Sequence, residues 1–312
     1  MGWYGLATYA VDGNMRPALV LEDLLFDLEA VFRAQNSNAE LPAWLASLNS
    51  IISGWDSTEK EVETLALVAR SLVQDNKITP VENGVARLEA PYMPGRIFCT
   101  ASNYIEHAKE METVLAAKAE SSPYVFMKAN TAVIGPKQTI RIPPETEKPD
   151  WEVELGVVIG RGGRRITVDQ AIDHIAGYTV INDISARDMN RRTDYPFKHD
   201  WFRGKSWDTF CPLGPWFVPK GCIDDPHNLK LQQTLNGELM QDGNTSELIF
   251  NAFEQIEYLA SILTLQPGDV IATGTPAGVG MGQDLYLKPG DVLVASVEGV
   301  GAMENPVAAE EL

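Results

Sequence analysis

Glu152 and Glu154 stand two positions apart at the start of an apolar run, and Asp183 closes another such run. The segment from Asp150 to Gly160 (Asp-Trp-Glu-Val-Glu-Leu-Gly-Val-Val-Ile-Gly) is β-branched, aromatic and bounded by glycine, the pattern of a buried strand. Side chains alternate along a strand, so Glu152 and Glu154 share one face. Gly177 to Asn182 reads as a second strand that delivers Asp183 at its end. Carboxylates aligned among apolar neighbours repel one another and are costly to desolvate unless a cation sits between them. Three oxygen donors with no Cys or His nearby suit a hard divalent ion, Mg²⁺ or Mn²⁺ rather than Zn²⁺. The competing reading places Glu152 and Glu154 on the solvent face of an edge strand, with Val153 and Leu155 turned inward.

Three further groups could act beside such an ion. His107 and Glu110 lie three apart in a segment of helical character, hence on one face. A carboxylate on one imidazole nitrogen fixes the tautomer and raises the basicity of the ring, as a general base requires. An exposed helix with incidental charges would read the same way. Lys205 stands among aromatic residues between Trp201 and Phe210, where it could neutralise a substrate carboxylate or a developing enolate, or simply snorkel at the surface. Gly204-Lys205-Ser206 is not a phosphate loop, because His199 occupies the position that needs Gly. Thr273 to Gly280 is a glycine-rich loop after a strand, able to bring backbone N–H groups and a Thr hydroxyl close to an anion, or to form no more than a tight turn. His174 and His227 read as structural, and His199 beside Asp200 as a possible substrate contact. There is no Gly-x-Ser-x-Gly elbow and no Cys with a convincing base nearby, which speaks against covalent nucleophilic catalysis.

These residues need a scaffold. The chain has 312 residues, enough for one large domain or two, and a net charge of −18. That charge argues against nucleic acid and anionic membranes as partners, and it requires a local cation cluster or a metal wherever an acidic substrate binds. Cys99, Cys211 and Cys222 form no CxxC spacing and read as reduced thiols of a cytoplasmic protein. No secretory leader and no apolar run of transmembrane length is evident. Residues 1–92 form an accessory block, with a hairpin at Asp12-Gly13-Asn14 and helices expected over Asp23 to Arg33 and Thr58 to Gln74. The second of these helices opens on a capping-box pattern, Thr58 to Glu61. Residues 93–312 are strand-rich, with a hairpin at Asn236-Gly237 and one amphipathic helix expected from Leu248 to Leu265. Helices and strands do not alternate regularly, so the fold class is α+β.

Taken in order, the motifs resemble the fumarylacetoacetate hydrolase family. They are Asn103-Tyr104-x-x-His107-Ala108, Trp151-Glu152-x-Glu154-Leu155-Gly156, Asn182-Asp183-Ile184-Ser185-Ala186-Arg187-Asp188, Lys205-Ser206-x-Asp208-Thr209-Phe210 and Gly268 to Gly280. The resemblance implies a mixed β-sandwich roll that carries the catalytic site, a small N-terminal accessory domain, and a homodimer. It also implies metal ligation by Glu152, Glu154 and Asp183, a His107–Glu110 dyad carried on a lid, and Lys205 beside the substrate's oxygens. Tyr104, Arg187, Gly274 and Thr275 are carried over as substrate contacts. The chain departs from the family pattern at Ser102, where several relatives carry Arg, and at His199-Asp200-Trp201, where the distal part of a substrate would sit. A 2-oxo or 2,4-dioxo acid can chelate a divalent ion through its carboxylate and keto oxygens, which stabilises an enolate. The first expectation is therefore hydrolysis of a C–C bond in an acylpyruvate-like 2,4-dioxo acid by water activated at His107. The alternatives on the same scaffold are isomerisation or decarboxylation of hydroxymuconate-type acids, and lyase or dehydratase chemistry on sugar-derived 2-oxo acids. The presence of His107, Glu110, Lys205 and all three carboxylates argues against a binding protein with a degenerate site, and a structural homodimer alone leaves the clustered charges unexplained.

Overall fold

The computed structural model describes residues 2–110 and 116–311, the side chain of residue 86 aside. Two sheets carry the architecture. The larger has ten strands, and its centre runs Cys211–Pro219, Ile175–Asn182, Val153–Ile159, Val270–Ala272 and Ile97–Ala101, with Tyr124–Lys128 at one edge. Val270–Ala272 and Ile97–Ala101 are parallel, whereas Val153–Ile159 runs antiparallel to both of its neighbours, so the sheet is mixed. At its other end Gly5–Val11 joins Cys211–Pro219 through Leu6 and Phe217, and the hairpin at Asp12-Gly13 and the strand Leu24–Asp27 extend it further. The five-stranded sheet is built from Lys230–Leu235, Glu238–Asn244, Val292–Val297, Gly301–Ala309 and Ile140–Ile142. Asn236 and Gly237 both take positive φ, which is the turn geometry their sequence calls for.

Alternation along Val153–Ile159 divides the core. Val153, Leu155, Val157 and Ile159 pack between the two sheets with Val297 and Met303. Val158 faces the opposite layer, where the N-terminal helices Leu48–Ser53 and Trp55–Gln74 cover the large sheet. Trp55 meets Phe217 edge-on there at 5.2 Å. The face bearing Glu152 and Glu154 is therefore covered rather than exposed, and the edge-strand reading fails because the covering residues are distant in sequence. Among the described residues no helix is long and apolar enough to cross a membrane.

Three expectations need correction. Asp23 to Arg33 is not one helix: Leu24–Asp27 pairs as a strand with Asn14–Leu21, and the helix begins at Leu28 with Asp27 as its cap. The long helix starts at Trp55, so Thr58 lies inside it and its hydroxyl donates to Ile51 O and Gly54 O instead of forming a capping box. The amphipathic helix spans only Ala252–Ile262, because Asn251 and Glu254 form a reciprocal cap at its start.

Candidate active site

Sheet register builds the acidic cluster. Ile181 lies across from Glu154 and Asn182 across from Val153, so the next position on each strand sets Asp183 opposite Glu152. Asp183 N donates to Glu152 O at 2.9 Å, which extends the ladder by one step. Directly opposed residues hold their Cβ atoms about 5 Å apart, and those two apart on a strand share a face, so the three carboxylates converge. One oxygen from each of Glu152, Glu154 and Asp183 lies within 4.8 Å of the others, and all three residues are buried.

Buried cations surround this cluster. Lys205, delivered by the short helix Trp201–Lys205, is fully buried, with Nζ 2.7 Å from Glu152 and 2.8 Å from Asp183. It is therefore not a snorkelling surface lysine. Arg187 reaches Glu152 at 2.7 Å and Asp150 at 2.8 Å. Asp150 in turn accepts the backbone N–H groups of Gly280 and Met281. Lys128, at the end of the strand Tyr124–Lys128, pairs with Asp183 and donates to Ile184 O. Burial pushes the Glu152 carboxyl up, but Lys205 and Arg187 outweigh it and hold the pKa at about 2. Burial opposes the charge on Lys205 too, yet Asp183 and Glu152 keep the ammonium protonated, with its pKa raised.

Sequence reasoning missed Lys128 and Asp150, since a lone charge at a strand end resembles a surface residue. Breaking a buried pair by removing one partner leaves an uncompensated charge. Lys205 still faces Asp183 in Lys128→Met, so the loss should fall below the ~3–5 kcal/mol of a fully broken buried pair, read from the urea midpoint in chelator. An unchanged midpoint would mean that this ion pair carries no stability.

Glu154 differs from its neighbours. Its only hydrogen bond to the backbone comes from Gly274 N, at 2.6 Å, and no cationic side chain is in ion-pair contact with it among the described residues. Burial, then the charges of Asp183 and Glu152, push its carboxyl well above the usual range. Four carboxylates (Asp150, Glu152, Glu154, Asp183) thus face three cations (Lys128, Lys205, Arg187), and the donors are all oxygens. This set fits a hard divalent ion. Gly274 makes its contact possible: its φ is +105°, and a Cβ there would lie 2.7 Å from Asn103 Cβ.

His107 is buried at the wall of the cleft, in the helix Ile105–Glu110, and its Nδ1 lies 3.3 Å from Glu110 Oε2. The structure thus brings the sequence-predicted pair together. Residues 111–115, which follow this pair in the chain, lie outside the described residues. Thr275 also reaches the cleft wall, but its hydroxyl donates to Val153 O at 2.9 Å and accepts from Gln241 at 2.8 Å. That hydroxyl is already committed. Tyr104 is fully buried beneath the wall, and its hydroxyl has no hydrogen-bond partner among the described residues. Burial and then the Glu154 charge raise its pKa, so the phenol stays protonated.

Of these groups His107, Glu152, Arg187, Lys205 and Thr275 line one cleft of about 1100 Å³. Its inner end holds His107, Glu152, Arg187 and Lys205, and its outer end Ser102, Arg191, His199 and Trp201. Trp201 stacks on Phe126 at 5.0 Å, and His199 lies over Trp201 at 6.4 Å. Asp200 has a structural task, accepting Arg203 N as the helix cap and pairing with Arg192 at 3.2 Å.

This mixed sandwich, with charged groups gathered beneath one cleft, is the fold of a family of small-acid enzymes. The model of the fumarylacetoacetate (FAA) hydrolase C-terminal domain matches residues 96–308, and the chain belongs to that family. Its members include metal-dependent hydrolases, isomerases and tautomerases. Among its relatives, the oxaloacetate tautomerase FAHD2B, mitochondrial, of Bos taurus is 39% identical over 251 residues, covering 80% of this chain and 77% of that protein. A fumarylacetoacetate hydrolase from Exiguobacterium antarcticum superposes with a TM-score of 0.77 at 31% identity, covering 98% of this chain and 100% of that one. Maleylpyruvate hydrolase from Sphingobium sp. SYK-6, in complex with manganese(II) and pyruvate, superposes with a TM-score of 0.74 at 25% identity, covering 98% and 100%.

Proposed function

We propose that the chain catalyses keto–enol tautomerisation of a 2-oxo diacid of the oxaloacetate class, with a divalent ion held by Glu152, Glu154 and Asp183. The observation that carries this reading is a single oriented imidazole beside a buried triad of carboxylates. The similarity to the bovine oxaloacetate tautomerase supports it. Held by these three carboxylates, Mg²⁺ or Mn²⁺ would supply the positive charge that stabilises an enolate and so acidifies the C–H beside a 2-oxo group. The protein's own part is proton transfer and exclusion of water. With Nδ1 engaged by Glu110, the second nitrogen of His107 is left to take a proton from C3 and return one at the 2-oxo oxygen. Lys205 and Arg187 keep Glu152 ionised and offset much of the acidic cluster's charge in a protein of net charge −18.

A second reading, hydrolysis of an acylpyruvate by the same groups, is favoured by the cleft. At about 1100 Å³ it lies at the upper end of the usual range for small-molecule sites and far exceeds a four-carbon diacid. The test supplies enol-oxaloacetate, and separately an acylpyruvate, to the purified protein with Mg²⁺ or Mn²⁺. Tautomerisation predicts faster decay of the enol absorbance at unchanged mass. If the enol decays at its spontaneous rate while the acylpyruvate yields pyruvate and a carboxylic acid, the hydrolytic reading replaces the first.

A further inference from the structure

Glu110 does more than meet His107. Its carboxylate also accepts the backbone N–H of Gly278, at 3.0 Å to Oε1 and 3.2 Å to Oε2. Gly278 presents that N–H from a left-handed turn with φ of +100°, and a Cβ there would lie 2.0 Å from Met240 O. Four residues on, Gly282 sits in the short helix Gly280–Gln283. A Cβ on Gly282 would fall 2.4 Å from Glu110 Oε1, 2.5 Å from its Cγ and 2.6 Å from its Cδ. All three nearest atoms belong to the one side chain. Gly282 is exposed, and its φ lies outside the left-handed range, so alanine there would strain no backbone. The atoms that an added methyl meets first all belong to the Glu110 side chain.

We propose that Gly282, with the Gly278 N–H, forms a cradle that holds the Glu110 carboxylate against His107, making Gly282 a positioning residue for proton transfer. This rests on the reading of His107 as the proton carrier. The cradle acts by leaving room for the carboxylate at Gly282 and by donating a hydrogen bond to it from Gly278 N. The seat of Glu110 is a contact between segments some 170 positions apart in the chain, 168 for the Gly278 bond. The helix backbone alone would leave several rotamers open to that side chain.

The experiment is a double-mutant cycle on the full chain loaded with Mn²⁺, using Gly282→Ala and Glu110→Ala singly and together. A displacement of about 1 Å in a catalytic group can cost about 10²-fold, so Gly282→Ala should lower kcat by between about 10-fold and about 100-fold. KM for the 2-oxo acid and Mn²⁺ affinity should hold, because the triad and Lys205 are untouched. In the Glu110→Ala background the added methyl meets no carboxylate, so the double variant should match Glu110→Ala alone. Wild-type kcat for Gly282→Ala overturns the cradle, and so do losses that add in the double variant, which would mark a structural effect unrelated to Glu110. Full activity of Glu110→Ala overturns the dyad itself, which is a separate failure. Thermal unfolding of each variant identifies a folding defect, and one confined to Gly282→Ala but absent from the double variant would still point to the carboxylate contact.

Discussion

Replacing Glu154 with Gln lowers turnover by at least about 10³-fold, from the loss of several kcal/mol of charge stabilisation at the reacting oxygens, yet leaves the ion-free fold as stable or more so. The two halves of this result have one cause. Glu154 is buried, and Asp183 and Glu152 oppose its ionisation, so without a divalent ion its charge is a burden. Gln keeps the shape and still accepts from Gly274 N, now across a neutral bond. With the ion in place the same charge is a ligand, and losing it weakens the grip on the cation. Calorimetric titration with Mn²⁺, thermal unfolding in chelator and kcat, measured on one preparation, separate these effects. Should Glu154→Gln bind Mn²⁺ and turn over like the parent, the carboxylate triad is not the metal site.

The acidic cluster was legible because its logic is local. Alternation along one strand places Glu152 with Glu154, and the end of the next strand places Asp183. What covers that face was not legible. The helices over residues 48–74 and the strand Ile97–Ala101 lie far from Glu154 in sequence, so the strand itself cannot distinguish a solvent face from a second core. The same limit hid Lys128 and Asp150, whose partners are set by strand pairing and by the loop at Gly280. Thr275 shows a further limit of the sequence, since a hydroxyl in a glycine-rich loop invites an anion, and nothing local reveals that it donates to Val153 O and accepts from Gln241 in the fold. The capping-box pattern at Thr58 failed because packing carried the helix one turn further back, to the buried Trp55.

Cations and carboxylates in this site are coupled unequally, and that decides which residue tests the chemistry cleanly. Lys205 touches both Glu152 and Asp183, so substituting it would disturb two of the proposed ion ligands and the proposed substrate field together. Arg187 has the same defect, through Glu152 and Asp150. His107 is coupled less directly, because its carboxylate partner is Glu110, outside the triad, and it acts on Glu152 only through its charge, without an ion-pair contact. His107→Ala should therefore lower kcat by about 10²–10⁴-fold, the usual worth of a positioned general base, with Mn²⁺ affinity unchanged. A partial reaction sharpens the test. If His107 moves the proton at C3, the parent protein with Mn²⁺ exchanges the methyl protons of pyruvate for deuterium in D₂O, and His107→Ala does not, although pyruvate still binds. Exchange that persists at the parent rate in His107→Ala would assign the proton to another group and remove the dyad from the mechanism. Loss of exchange together with loss of Mn²⁺ binding would instead show that the imidazole supports the metal site.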